Sequence, residues 1–110
     1  MINKRINTLC VHGGKDTNNS TGSITVPVYQ SATFAHPGVG ESTGYDYSRL
    51  QNPTREVLER TIALLEGGTD AMAFSSGMAA MAVLCELFSP GDHIIATNDL
   101  YGGSVRYLNH

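Results

Sequence analysis

The sequence predicts an α/β fold, in which helices cover both faces of a parallel sheet, preceded by an extended N-terminal arm. From residue 52 onward, helical patterns alternate with short apolar runs, and turn residues separate them. This order of elements is typical of a sheet covered by helices. Before residue 52, turn-forming residues are frequent and no helical periodicity is sustained. We therefore assign residues 1–51 to the arm and residues 52–110 to the beginning of the α/β domain.

The arm contains two glycine-rich stretches on either side of an extended one. Gly13-Gly14 and the following polar residues precede ITVPVYQSATF, and HPGVGESTG follows it. The middle stretch is rich in β-branched and aromatic residues, but Pro27 interrupts it. Proline is confined to sheet edges and irregular segments, so this stretch reads as an extended arm or edge strand. An arm this long and polar is expected to lie across another chain rather than on its own body.

The first helix of the domain is predicted to begin after Asn52 and to end at Gly67-Gly68. Asparagine is a preferred N-cap residue, and Pro53 suits the first helical position. Glycine commonly ends a helix. Apolar side chains recur at helical spacing, at Leu58, Ile62 and Leu65, which predicts one buried face.

Two short apolar runs, residues 70–74 and 93–97, are predicted strands. Met78 to Phe88 follows the first run and is apolar on nearly all sides, which predicts a buried helix. The turn at residues 89–92 separates this helix from the second run. A third helix is expected from about Gly102, with the Asn98-Asp99 pair as its cap.

The composition argues against several classes of protein. Apolar residues make up 41% of the chain, and its formal net charge is -3. The seven lysines and arginines form no run longer than Lys4-Arg5, which argues against a nucleic-acid-binding protein. No apolar stretch reaches the roughly 18 residues of a membrane span. The four histidines show no metal-binding spacing, so no metal site is predicted.

The N-terminal residues MINKRINTLC carry no apolar core or cleavage site of a signal peptide. Without such a signal, Cys10 and Cys85 are expected to be reduced thiols, with Cys85 in the core. These features predict a cytoplasmic protein.

The turn FSSGMAAMAVL could bind an anion. It places Ser75, Ser76 and Gly77 between a predicted strand and a predicted helix. The first N–H groups of a helix have no internal partner, and the helix dipole is positive there. Alternatively, Ser76 only caps the helix and Gly77 packs against the sheet. The turn matches neither GxGxxG nor GxxxxGK[ST], which disfavours a nucleotide-binding domain.

The stretch YDYSRLQNPTR, residues 45–55, places phenols and guanidinium groups just before a helix. It could be a polar surface loop or a second anion-binding element. With SSGMAA and DLYGG, in this order and at these separations, it resembles the Cys/Met-metabolism (trans-sulfuration) family of pyridoxal-phosphate enzymes. VHGG and PVYQSATF fit the same family, so the resemblance covers nearly the whole chain. Members include cystathionine γ-synthase, cystathionine β- and γ-lyases, methionine γ-lyase and O-acetylhomoserine sulfhydrylase.

The resemblance implies a fold-type-I (aspartate-aminotransferase-like) transferase domain. It also implies pyridoxal 5'-phosphate as the cofactor, which acts as an electron sink during elimination or replacement at Cβ or Cγ of a sulfur- or oxygen-substituted amino acid. Members form homotetramers built from dimers that share active sites. Cystathionine γ-synthase or a cystathionine lyase is the first interpretation, and O-acetylhomoserine sulfhydrylase or methionine γ-lyase is the second.

The resemblance also implies roles for individual residues. Tyr47 and Arg49 would reach across a subunit interface to the cofactor phosphate of the neighbour, to which both can donate hydrogen bonds. Gly77 and Met78 would bind the same phosphate through backbone N–H groups. Tyr101 would stack on the pyridine ring and act in proton transfer; otherwise it is a tyrosine packed at a helix start.

Two more residues are implied to face the substrate, namely Asp46 and Arg106. The alternative for Arg106 is an exposed helix charge, and Arg55 and Arg60 are expected on the solvated face of the first helix. Methionine γ-lyases typically carry cysteine where Gly103 stands, which disfavours that branch.

The family attaches its cofactor through a lysine Schiff base, and that lysine lies far downstream. Here only Lys4 and Lys15 are present. The chain therefore resembles the N-terminal quarter of an enzyme, and we expect it to be inactive alone, with an unpaired sheet edge and exposed apolar surface. From a different class, it could be a non-catalytic anion-binding module that lacks the lysine.

Overall fold

A computed structural model describes residues 5–15 and 21–109 of the chain. Within this part there are four helices: α1 (Ile6–His12), α2 (Pro53–Glu66), α3 (Gly77–Cys85) and α4 (Gly102–Leu108). The chain divides into two compact units, residues 1–72 and residues 73–110. Helices α1 and α2 pack together in the first unit, and α3 and α4 pack together in the second.

Helix α2 begins and ends where the sequence predicts. The side chain of Asn52 accepts a hydrogen bond from the backbone N–H of Thr54 at 2.9 Å, and Pro53 opens the helix. Gly67 ends it in the left-handed conformation, with φ of 66°. Its N–H donates to the carbonyl of Ala63. The cap and the stop are local features of the chain, which is why the sequence was sufficient to place them.

The arm contains a helix that the sequence did not predict. Helix α1 has seven residues and no side-chain cap, so it lacks the local signals of a helix start. Contact with α2 stabilises it: Oγ1 of Thr61 donates to the carbonyl of Gly13 at 2.8 Å. The expectation that the arm does not pack on its own body is therefore wrong for this stretch.

The segment ITVPVYQSATF forms no regular strand in the described part of the chain. A single antiparallel bridge joins Thr33 to Tyr47. Next to it, the N–H of Phe34 donates to the carbonyl of Asp46 at 3.1 Å. The predicted extended arm thus lies beside the residues that the family resemblance singles out.

The two predicted strands do not form among the described residues. Residues 70–74 and 93–97 have no regular secondary structure and belong to no ladder. A strand is stabilised by hydrogen bonds to a neighbour, and no described segment pairs with either run. The apolar composition of a run indicates burial, but it does not say which segment lies beside it.

The turn before residue 93 forms as expected. The N–H of Ser89 donates to Oδ2 of Asp92 at 2.8 Å, and Gly91 has φ of 104°. The cap of α4 is different from the prediction. Tyr101, without a side-chain cap bond, is the N-cap residue, and the Asn98-Asp99 pair is not.

Few side chains are buried in the described part. Ala63 and Ser104 are buried, at 7% and 9% exposure, whereas the predicted core residues Leu58 and Ile62 are exposed. Helix α3 is shorter than predicted and has no buried residue. The buried-helix interpretation, with Cys85 fully in the core, is therefore wrong within these residues; Cys85 is half-buried. Two helices in a unit are too few to cover each other's apolar surface on all sides.

None of the described helices combines the length and the apolar character of a membrane span.

Candidate functional site

Tyr47 and Arg49 lie together in a surface turn of the first unit. Arg49 Nη2 is 3.3 Å from Tyr47 Oη, and the guanidinium carbon is 5.4 Å from the centroid of the tyrosine ring. Both side chains are exposed. The guanidinium has further N–H donors besides the one that contacts the phenol oxygen. The pair can therefore bind an anion such as a phosphate group, as the sequence predicts.

The turn is closed by its own backbone. The N–H groups of Leu50 and Gln51 both donate to the carbonyl of Tyr47, at 2.9 and 3.0 Å. This single turn places Tyr47 and Arg49 two residues apart on its outer surface. Sequence reasoning found the two side chains but not the turn.

Arg55, expected on the solvated face of α2, contacts this turn instead. Its Nη1 donates to the carbonyls of Ser48 and Arg49, each at 3.4 Å, and its Nη2 donates to the carbonyl of Leu50. The sequence signal that could have indicated this contact is the spacing of the NPTR motif. It places the arginine one helical turn beyond the loop. Arg60 is exposed as expected and pairs with Glu56.

Asn52 links the turn, the arm and the helix. Its Oδ1 caps α2, while its Nδ2 donates to the carbonyl of Tyr29 at 3.1 Å and to Oγ of Ser48 at 3.0 Å. In addition, the N–H of Tyr29 donates to Oγ1 of Thr54 at 2.8 Å. The sequence predicted the cap but not the two contacts of the amide group.

Asp46 binds to neighbours in the arm. Its Oδ1 accepts a hydrogen bond from Oγ of Ser42 at 2.6 Å and lies 3.3 Å from Nε2 of His36. The other ring nitrogen of His36 lies 2.7 Å from the carbonyl oxygen of Glu41. The carboxylate is exposed and next to Tyr47 in sequence, but its closest partners are these arm residues. No pattern in the sequence singled out His36.

Tyr45 and Glu56 form a hydrogen bond between the arm and α2. The phenol donates to Oε2 of Glu56, and the ring of Phe34 lies 5.6 Å from the tyrosine ring. The hydrogen bond to Glu56 raises the pKa of Tyr45. The hydrogen bonds from Tyr45 and then Arg60 lower the pKa of Glu56. An open cleft of about 260 Å³ lies at this contact. It is lined by Tyr45, Glu56 and Arg60 together with Val26, Pro27, Tyr29, Pro53 and Val57.

The second group of predicted residues surrounds the N-terminus of α3. Oγ of Ser76 accepts the N–H of Ala79 at 3.1 Å, so Ser76 is the N-cap. Among the described residues, no hydrogen bond uses the N–H groups of Gly77 and Met78. A methyl group added at Gly77 would meet no atom within 4 Å. Free N–H donors beside open space at a helix start fit a phosphate group.

Tyr101 and Met78 both lie against Gly103. A Cβ atom at Gly103 would be 2.6 Å from Cε1 of Tyr101 and 3.2 Å from Sδ of Met78. Oγ of the buried Ser104 lies 3.6 Å from the same sulfur. The second unit thus brings Gly77, Met78 and Tyr101 together, with Tyr101 itself 75% exposed.

Arg106 lies in the last turn of α4, where a cation interacts favourably with the helix dipole. The described contacts do not join it to Tyr101. Lys4 and His110 lie outside the described residues. In the rest of the chain that the structure covers, no three His, Cys, Asp or Glu side chains cluster as metal ligands would.

These two groups of residues carry the motifs by which the chain can be compared with known proteins. The profile of the family described as "Cys/Met metabolism PLP-dependent enzyme" matches residues 7–110. The chain belongs to this family. Its fold is therefore that of the fold-type-I family members, and the resemblance seen in the sequence is confirmed.

Relatives in the Cys/Met family are similar over nearly the whole chain. Cystathionine beta-lyase of Lactococcus lactis subsp. cremoris is 48% identical over 104 residues, which is 94% of this chain and 27% of the relative. Cystathionine gamma-synthase of Haemophilus influenzae is 49% identical over 104 residues, 94% of this chain and 28% of the relative. Lyase and synthase members are thus equally similar to it.

The crystal structure of metB from Corynebacterium glutamicum superposes with a TM-score of 0.90 at 43% identity. The match covers 97% of this chain and 28% of that one. The chain therefore spans between a quarter and a third of the length of the family members that it matches.

Proposed function

We propose that the full-length protein is a pyridoxal-phosphate-dependent enzyme of trans-sulfuration. It would act by β- or γ-elimination or by γ-replacement on cystathionine or an O-acylhomoserine. The observation that carries this proposal is the Tyr47–Arg49 pair, whose donors suit a phosphate, in a chain of the Cys/Met family. Its relatives include proteins named cystathionine beta-lyase and cystathionine gamma-synthase.

The residues of both groups fit the cofactor. The N–H groups of Gly77 and Met78 would bind its phosphate, since they are without partners among the described residues and a Cβ added at Gly77 would meet no atom within 4 Å. Tyr47 and Arg49 would bind the phosphate held by a neighbouring subunit, with residues 1–51 as the arm that brings them there. When bound, the cofactor supplies an electron sink for negative charge at the substrate Cα.

The exposed phenol of Tyr101 would lie on the cofactor ring and move a proton on the substrate, as its position at the start of α4 allows. Arg106 would bind the distal carboxylate of the substrate, for which a guanidinium is a suitable partner. Asp46 would lie near the substrate. Its hydrogen bonds to Ser42 and His36 would hold its carboxylate in one orientation.

We further propose a homotetramer of dimers that share active sites, because the arm provides its anion-binding side chains on an exposed turn. The described cysteines, Cys10 and Cys85, are both free thiols. Free thiols are typical of the cytoplasm, and we propose that compartment.

The second candidate function is a non-catalytic anion-binding module. The 110 residues contain only Lys4 and Lys15, and neither lies in a motif that would hold the cofactor covalently. If no further lysine takes that role, the protein would bind anions without catalysis.

Two measurements on the full-length protein test the proposal. Reduction of the cofactor-loaded protein with borohydride, followed by peptide mapping, should identify one lysine linked to the cofactor. Incubation with cystathionine should release a three-carbon keto acid for β-elimination or a four-carbon keto acid for γ-elimination. With cysteine and O-acylhomoserine, a synthase should form cystathionine. Absence of both a labelled lysine and every product would favour the non-catalytic module.

A further inference from the structure

We propose that Arg55 is a positioning residue, which holds the turn that presents Tyr47 and Arg49 to a phosphate group. This inference rests on the proposed function of that pair. Arg55 itself is directed to the backbone of the turn, and no role in binding or catalysis was expected of it.

The contacts show how Arg55 acts on the turn. A single turn of backbone leaves its last carbonyls without N–H partners. Here those carbonyls belong to Ser48, Arg49 and Leu50, and the two terminal nitrogens of Arg55 donate to all three. No other donor among the described residues reaches these carbonyls. The guanidinium therefore replaces the hydrogen bonds that a continuing helix would provide.

The position of Arg55 in α2 is unfavourable for the helix itself. It lies in the first turn, where the helix dipole repels a cation. Its partner Glu59 follows four residues later, and this order of charges stabilises a helix less than the reverse order. Helix stability alone therefore does not explain an arginine at this position.

Glu59 keeps the guanidinium in place. Its Oε1 lies 3.3 Å from Nε of Arg55, and the Arg55 side chain is only 32% exposed. Nε makes no hydrogen bond of regular geometry, so the interaction with Glu59 is mainly ionic. The planar fork of arginine can then donate to three carbonyls from two nitrogens in a fixed geometry, whereas lysine offers one ammonium on a flexible stem.

A double-mutant cycle in the full-length apoprotein tests this inference. Arg49→Ala, Arg55→Ala and the double variant are compared for the binding of inorganic phosphate by calorimetry. We expect each single variant to bind phosphate about tenfold more weakly, as for the loss of a charged hydrogen bond. We expect the loss in the double variant to be smaller than the sum of the two single losses, because Arg55 acts only through the turn that presents Arg49 and Tyr47.

The outcomes separate the two proposals. If Arg49→Ala binds phosphate as well as the wild type, the proposed anion site and the positioning role are both overturned. If Arg49→Ala weakens binding but Arg55→Ala does not, only the positioning role is overturned. Fully additive losses would also overturn it, since Arg55 would then act independently of Arg49.

Two further variants control for charge and folding. Arg60→Ala removes the same charge from an exposed position of the same helix and is expected to bind phosphate normally. If Arg55→Ala does not fold, Arg55→Lys takes its place in the cycle. It keeps the charge but lacks the two-nitrogen planar fork, so we expect phosphate affinity between that of Arg55→Ala and the wild type. Wild-type affinity in Arg55→Lys would contradict the three-carbonyl role.

Discussion

The guanidinium of Arg49 lies over the ring of Tyr47, with its carbon 5.4 Å from the ring centroid and Nη2 3.3 Å from the phenol oxygen. The contact orders two flexible donors before any anion binds. Ordering side chains in advance lowers the entropy lost on binding. The phenol and the guanidinium can therefore act as one phosphate-binding unit.

Arg49→Ala in the full-length protein is expected to weaken the binding of pyridoxal phosphate by about 2 kcal/mol, or about thirtyfold, because a charged hydrogen-bond donor is lost. Titration of the apoprotein with cofactor, followed by visible absorbance, measures this change. Arg49→Lys keeps the charge but not the planar fork, so its cofactor affinity should lie between that of Arg49→Ala and that of the wild type. Cofactor affinity unchanged in Arg49→Ala would remove Arg49 from the site.

Gly103→Ala is expected to displace the ring of Tyr101. The new Cβ would lie 2.6 Å from Cε1 of that ring, and an exposed ring can move at little cost in stability. If Tyr101 transfers a proton, its displacement should lower kcat by about 10- to 100-fold. Gly102→Ala is the matched control, since its Cβ would meet nothing within 4 Å. Equal kcat in both variants would contradict the role of Tyr101.

Gly14→Ala is expected to destabilise the contact between α1 and α2. The new Cβ would lie 2.5 Å from both Val57 O and Thr61 Oγ1, and φ of Gly14 is +67°. Gly22→Ala has the same φ and open space around its Cβ, so it measures the backbone cost alone, about 1 kcal/mol.

The clash at Gly14 should add about 1–3 kcal/mol to that cost. The unfolding temperatures of the two variants, measured in the full-length protein, give the comparison. Equal shifts in unfolding temperature for Gly14→Ala and Gly22→Ala would mean that α1 does not pack on α2 in solution.

Tyr45→Phe is expected to change stability in a pH-dependent way. The raised pKa of Tyr45 means that its hydrogen bond to Glu56 stabilises the fold below the ordinary tyrosine pKa, and that this contribution is lost as the pH rises through the raised value. The lowered pKa of Glu56 means that its contribution is present above the ordinary glutamate pKa and is lost as the pH falls through the lowered value.

The difference in unfolding temperature between wild type and Tyr45→Phe should therefore be largest near neutral pH and shrink at both extremes. Since both groups are partly exposed, we expect the hydrogen bond to contribute only about 0.5 kcal/mol near neutral pH. Thermal unfolding of both proteins across the pH range measures this. A difference that stays constant at high pH would contradict the role of the phenol.

Local features of the chain were enough to predict several elements. Asn52, Pro53 and Gly67 set the ends of α2 through hydrogen bonds and backbone angles within a few residues. Capping by Ser76 was one of the two interpretations of its turn, and Ser76 is the N-cap of α3. The sequence also predicted the family, because the motif that contains Tyr47 and Arg49 is recognisable; the anion-binding role of these two residues stays a prediction.

Other features depended on residues that are distant in sequence. Helix α1 has no side-chain cap of its own, and Oγ1 of Thr61 in α2 donates a hydrogen bond to the carbonyl of Gly13 at its end. The runs 70–74 and 93–97 have strand composition, yet no described segment pairs with them. Propensity and composition are properties of one segment, whereas a ladder or a packed face requires two.

By itself, the sequence determined both ends of α2, the family and the chemical types of the candidate site residues. Only the tertiary structure decided that Arg55 contacts the turn of Arg49 and that Gly103 lies against Tyr101. Capping acts within one helical turn and can be read from neighbouring residues. Contacts between elements depend on how the elements approach each other, and that approach is set by packing rather than by local sequence.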